Sequence, residues 1–147
     1  MREEISVAER FLTQLLLDPE KPQLKIAALV DFGLNLRHIL ILKYENHWYP
    51  LSPYRESEYR CIRLGKGSSK TKNSEIDPVY IRTLSRCGIT TEEFLNRMPE
   101  NLTIWIDPGE VSYRIGECGK IKTLYETVAS NIYKRLDLNS PDSKNSK

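Results

Sequence analysis

Few side chains in these 147 residues combine the type and the spacing that chemistry requires. His47 has the right type for a general base, but no nucleophile or second ligand is spaced near it. A structural hydrogen bond is its expected role, and the same holds for His38. Cys61, Cys87 and Cys118 are scattered, odd in number and in no C-x-x-C pair, so neither a disulfide framework nor a zinc site is expected. The run from Gly65 to Thr71 glances at a phosphate-binding loop, yet its glycines and lysines miss the P-loop spacing and no strong apolar helix follows. No Ser-His-Asp or Cys-His set can be brought to a common locus from spacing alone. The chain is therefore expected not to be an enzyme and to hold neither a cofactor nor a metal.

Binding chemistry is better supplied. Leu102, Ile104 and Ile106 alternate with Thr103, Trp105 and Asp107, and a period of two puts the first set on one face of a strand and the second on the other. The first face is core. The second is expected to display a Trp beside an acid, which an ordinary solvated strand has little reason to do. Beyond the Asp107-Pro108-Gly109 corner, Val111, Tyr113 and Ile115 alternate again after Glu110, so two short strands about a tight turn should anchor the fold and offer a working surface. Leu12-Thr13-Gln14-Leu15-Leu16 spells L-x-x-L-L, the word of helices that dock into grooves of nuclear receptors, although a core-facing stripe needs the same leucines. A third arrangement would suit an RNA-binding module: Trp48, Tyr49, Tyr54 and Tyr59 to stack bases, with Arg60, Arg63, Lys66, Lys70 and Lys72 to meet phosphates. Ser140-Pro141 fits a proline-directed phosphorylation site.

These residues need elements to position them. Ile5, Ala8, Phe11, Leu12, Leu15 and Leu16 recur at helical steps, predicting an amphipathic helix over Glu3 to Leu17 that ends at Asp18-Pro19. A second helix, from Leu24 to about Tyr44, is apolar over much of its circumference and should be largely buried against the first, with Gly33 tolerated where the two pack closely. The aromatic and proline-rich run Glu45 to Tyr54 reads as an ordered loop, and Glu58 to Leu64 as a strand. Asp77-Pro78 should start a short helix, and Thr90 with Glu93 should form a capping box ahead of another that Pro99 closes. The pair of strands follows, then a hairpin into a last strand over Lys120 to Tyr125. Residues 1–126 make the domain. Residues 127–147 form an extension, helical from Thr127 to Arg135 and polar toward an end whose composition predicts disorder.

A hydrophobic content of 39% supports one ordinary core in a chain of this length and leaves no room for a second full domain. The formal net charge of +2 is too small to make nucleic acid or a membrane surface the default partner. Without a signal-peptide run, a membrane span or paired cysteines, a soluble monomer of the reducing cytoplasm and nucleus is expected.

His47-Trp48-Tyr49-Pro50 followed by Tyr59-Arg60-Cys61-Ile62-Arg63, then Asp77-Pro78, then Trp105-Ile106-Asp107-Pro108 with Glu110-Val111-Ser112-Tyr113 and Ile115-Gly116-Glu117, closely resembles the two signature boxes of the BTG/Tob anti-proliferative family. The resemblance spans roughly Met1 to Glu126. It implies an α+β domain in which a helical layer packs on a small antiparallel sheet. It also implies a non-catalytic adaptor that binds the exonuclease subunit of the NOT-scaffolded deadenylase complex, promotes mRNA deadenylation and decay, and restrains proliferation.

Carried over by motif, Tyr59 and Trp105 would contact the nuclease, with Asp107 and Glu110 supplying polar contacts; large rings flanked by a few polar groups are what interface hot spots are made of. Two departures stand out. Gly109 replaces the Phe that commonly follows Asp-Pro in the second box, and Arg55-Glu56-Ser57-Glu58 replaces the usual Lys-Gly-Ser-Gly before the tyrosine. No poly(A)-binding-protein motif follows Tyr125-Glu126, so that partner is unsupported. The alternative function is an RNA-binding or transcription co-regulator module working through the aromatic and basic loop or the L-x-x-L-L helix, with transcription factors or nuclear receptors as partners.

Overall fold

The computed structural model describes residues 1–65 and 75–136, together with the backbone but not the side chain of Tyr133. Helix α1 (Arg2–Leu16) turns Ile5, Ala8, Leu12 and Leu16 inward. Helix α2 (Ile26–Tyr44) packs against it and buries Leu29, Phe32, Leu36, Leu40 and Tyr44. Gly33 is buried beneath Glu9 of α1, and a Cβ there would overlap the Glu9 carboxylate. The expectation that α2 is largely buried holds for one side only. Ile26, Val30, Leu34 and Leu42 lie exposed on the other, because the helices it packs against cover part of its circumference.

Where a strand was expected from Glu58, the chain makes a single helical turn, α3 (Ser57–Arg60), entered through Glu56 at φ 58°, and only then the strand β1 (Ile62–Gly65). Alternation over so short a run cannot distinguish the two, and the turn is what sends Arg60 inward while Tyr59 points out. β2 (Glu75–Ile76) is too short for sequence patterning to register. α4 (Pro78–Leu84) opens as Asp77-Pro78 requires, the Asp77 carboxylate accepting from the Val79 N–H at 3.0 Å. α5 (Thr91–Arg97) carries the expected capping box: the Glu93 N–H donates to Thr90 Oγ1 at 3.1 Å and the Thr90 N–H to Glu93 Oε2 at 3.3 Å.

β3 (Leu102–Asp107), β4 (Glu110–Ile115) and β5 (Lys122–Glu126) complete an antiparallel sheet of order β2-β1-β3-β4-β5, and α6 (Val128–Leu136) ends the described chain. Register pairs Asp107 with Glu110, Trp105 with Ser112 and Thr103 with Arg114, so these six share one face. The turn between β3 and β4 has Pro108 followed by Gly109 at φ 79°, the type II pattern in which only the second residue needs a left-handed backbone. Ile62, Leu64, Leu102, Ile104, Ile106 and Val111 face the helices and share their core, α1 lying across β3, β4 and β5. The fold is α+β, a helical layer on a small antiparallel sheet. No described helix is long and apolar enough to cross a membrane.

Candidate protein-docking site

One buried cation organises the region where the signature words meet. Arg60 is fully buried at the end of α3, and all five of its N–H donors are used. Nε donates to the Ile106 carbonyl at 2.9 Å and Nη1 to the carbonyls of His47 and Arg55, each at 2.7 Å. Nη2 donates to the Pro53 carbonyl at 2.9 Å and to Asp107 Oδ1 at 3.0 Å. The same Asp107 oxygen accepts from Ser57 Oγ at 2.6 Å, the Arg60 carbonyl accepts from the Tyr44 hydroxyl, and the Trp48 ring lies 5.5 Å from the guanidinium carbon. Arg60 thus pins the proline-rich loop to β3. Prolines lack N–H groups, so the loop has too few donors for all its carbonyls, and a forked donor satisfies those of His47, Pro53 and Arg55. Sequence reasoning placed Arg60 among phosphate contacts. Its burial removes it from any RNA-binding surface, and Lys66, Lys70 and Lys72 lie outside the described residues.

Tyr59 occupies the opposite side of that turn. Its ring is 45% exposed, lies 4.3 Å between centroids from the His47 ring and has Lys43 Nζ 4.9 Å from its centroid. His47 is in turn fixed by Glu56, Nδ1 to Oε2 at 2.8 Å, and that hydrogen bond holds the Glu56 carboxyl below its ordinary value. The expected structural role of His47 is what the geometry displays: it clamps an exposed aromatic ring in one orientation. Glu56 belongs to the Arg55–Glu58 departure, which here supplies the partner for His47.

Trp105, Asp107 and Glu110 do share a face, as alternation requires, but they are not displayed on it. Trp105 and Asp107 are fully buried and Glu110 is 1% exposed. The expectation of an open working surface on this strand pair is therefore corrected. Alternation assigns a side of the sheet and carries no information about a second layer, and here α3 with its loop packs on β3 while α6 reaches Glu110. Asp107 is tied to Arg60 and Ser57, the Arg114 guanidinium lies 5.4 Å from the Trp105 ring centroid, and Lys134 of α6 contacts Glu110. Tyr59 is the accessible member of the four.

The L-x-x-L-L reading is also corrected. Leu12 and Leu16 are buried in the core and Leu15 is partly buried against it, whereas a groove-docking helix must present these leucines to solvent. Ser140 lies outside the described residues. Cys61 is buried, Cys118 exposed, and Cys87 sits between them with its thiol pushed up by burial. Among the described residues no group of three or more His, Cys, Asp or Glu could hold a metal ion. An open groove of about 660 Å³ runs between the start of α1 and the start of α6, walled by Trp48, Pro50, Pro53, Pro108 and Tyr125. Both carboxylates beside it are already engaged, Glu3 by the Tyr125 hydroxyl at 2.8 Å and Glu4 by the Gly109 N–H at 2.9 Å.

Pinned loop, clamped tyrosine and covered tryptophan fall in the two sequence words that carry the resemblance. A model of the BTG family matches residues 1–125. The chain belongs to the BTG family. It is 38% identical over 125 residues to Protein Tob1 of Homo sapiens, covering 85% of this chain and 33% of that one. It is 37% identical over 126 residues to Protein BTG1 of Gallus gallus, covering 86% of this chain and 68% of the relative. The match thus spans about a third of the Tob1 chains and two thirds of BTG1. The fold superposes on the BTG/Tob domain of C. elegans FOG-3 with a TM-score of 0.70 over 97% of this chain and 90% of that one, and at 18% identity this is a likeness of fold. Membership of the BTG/Tob anti-proliferative family fits a regulatory role without catalysis of its own.

Proposed function

We propose that this BTG domain is an adaptor that binds the exonuclease subunit of the NOT-scaffolded deadenylase complex, bringing it to mRNAs whose poly(A) tails are then shortened. Tyr59 is the anchor of that contact. The observation that carries the reading is an exposed tyrosine held rigid by the His47 ring and Glu56, inside the family word Tyr-Arg-Cys-Ile-Arg. A large ring already fixed in place loses little entropy on binding, which is what makes Tyr a frequent hot spot. Arg60 and Asp107 hold the loop and β3 in register behind it, and Trp105 and Glu110 belong to the adjoining covered face. The adaptor would act in cytoplasm and nucleus and lower the output of proliferation-promoting messages.

The test is a titration of purified deadenylase nuclease subunit with the full chain, wild type beside Tyr59→Ala, each checked by circular dichroism. Because Tyr59 is half exposed, the variant should fold normally and lose about 2 kcal/mol or more of binding. Equal affinity for the two folded proteins would remove Tyr59 from the interface. No binding by the wild type would remove the nuclease as partner.

A further inference from the structure

The C-terminal helix α6 sits on the sheet in an unusual way. Its entry is seated on the β3–β4 turn: the Thr127 N–H donates to the Gly109 carbonyl at 2.8 Å, and Thr127 Oγ1 caps the helix by accepting from the Ser130 N–H at 3.1 Å. A Cβ at residue 109 would lie 2.6 Å from Thr127 Oγ1 and 3.2 Å from Ser130 Cβ, so the helix occupies space that only a glycine leaves free. One turn further on, Lys134 reaches across to Glu110 and lies 3.6 Å from Glu126.

The polarity of α6 is inverted for a helix resting on a core. Among its described side chains, those turned to the domain are Ser130, which is buried, and Lys134, whereas Val128, Ile132 and Leu136, spaced four apart on one stripe, face solvent at 78%, 52% and 80% exposure. A helix meant to stay down would bury its apolar stripe and leave its lysine out. Among the described residues its contacts include a cap, a backbone hydrogen bond and an ion pair open to water at one end, interactions that exchange readily with solvent. Glu110, which Lys134 reaches, shares its sheet face with Trp105 and Ser112, and all three are buried.

We propose that α6 is a displaceable cover: in the free protein it keeps the Trp105 face from solvent, and the deadenylase nuclease reaches that face only after α6 has swung away from Gly109 and Glu110. The inference rests on the adaptor reading for the identity of the partner but not for the cover itself. Tyr59, outside the cover, makes the first contact, and the Trp105 face completes it. Closed α6 sets a conformational cost on binding, which a change that loosens its seat would remove.

Two full-chain variants open the cover by different routes. Asn131→Pro deletes the N–H that donates to the Thr127 carbonyl at 3.1 Å and breaks the helix, in an exposed residue. Lys134→Glu keeps the helix and turns its tether against Glu110 and Glu126. Both are made in a Trp48→Phe background, which leaves Trp105 as the sole tryptophan. Acrylamide quenching of Trp105 fluorescence should rise severalfold in each, and nuclease affinity should tighten by about threefold or more, the scale of a partly exposed ion pair.

Unchanged quenching with α6 unfolded would show that the helix does not cover Trp105 and would overturn the proposal without reference to any partner. Raised quenching with unaltered or weakened nuclease binding would overturn the gating, because an open face would then confer no advantage. If neither wild type nor variants bind the nuclease, the adaptor reading falls and the gating with it, and the quenching alone decides whether α6 is a cover.

Discussion

Replacing Asp107 by Ala should unfold the domain well before it alters any surface. Among the described residues Asp107 is the carboxylate hydrogen-bonded to the Arg60 guanidinium, at 3.0 Å, and both side chains are fully buried. Removing one partner of such a pair leaves an uncompensated buried charge, a loss of about 3–5 kcal/mol. Ser57 Oγ loses its 2.6 Å acceptor as well. Against a total stability of about 5–15 kcal/mol for a domain, that is a large fraction, and at this size it lowers the melting temperature by roughly 10–15 °C. Asp107→Asn retains an acceptor for Ser57 and Arg60 and removes only the charge, so it should fall between wild type and Asp107→Ala. Urea titration followed by far-UV circular dichroism measures all three. A loss below about 1 kcal/mol for Asp107→Ala, the range of solvated ion pairs, would refute the buried hub, since Arg60 would then be compensated by water. Without that control, a pull-down with Asp107→Ala would report unfolding as a lost partner contact.

The two aromatic residues of the signature words should separate by the same measurement: Trp105→Ala should lose about 3–5 kcal/mol of stability as a fully buried ring, whereas Tyr59→Ala, half exposed, should stay within about 0.5 kcal/mol of wild type. Thr90→Ala should cost about 1 kcal/mol through its half of the α5 capping box, read by urea denaturation and confined to that helix in amide exchange. The Glu56 carboxyl is lowered from its ordinary 4.5 by its hydrogen bond to His47, so what it contributes is complete above that value and is lost as pH falls through the lowered one. The His47 and Tyr59 ring resonances should therefore shift together on acidification below about pH 4.5, and Glu56→Gln should abolish that joint transition.

Fold elements marked by local chemistry were legible in the chain. Asp77-Pro78 and Thr90 with Glu93 state their caps within four residues, and the alternation of Leu102 to Ile106 fixes β3 because every second residue must meet α1. β2 was not legible, since two residues carry no period. The turn at Ser57–Arg60 was not legible either: its conformation is decided by Arg60 reaching carbonyls of His47, Pro53 and Arg55, contacts that follow from the loop folding back over β3. A signal was nevertheless present. An arginine beside Cys61 and Ile62, following a loop with prolines at 50 and 53, combines a forked donor with carbonyls that have few donors of their own.

For the candidate site, the sequence specified neighbours and left their depth open. Trp105, Asp107 and Glu110 share a face for a reason any strand obeys, but their depth follows from tertiary contacts that alternation does not encode, Arg60 and Ser57 on Asp107 and Lys134 on Glu110 among them. Gly109 illustrates how a local departure carries a distant consequence. Read alone, it removes an aromatic and loosens a turn; in three dimensions its missing Cβ is the space in which Thr127 and Ser130 bring α6 down onto the sheet. A larger residue there would do two things at once, straining a backbone held at φ 79° and lifting the helix from its seat. The seat of α6 is thereby coupled to the backbone of a type II turn, which a reading of the signature words alone would not show.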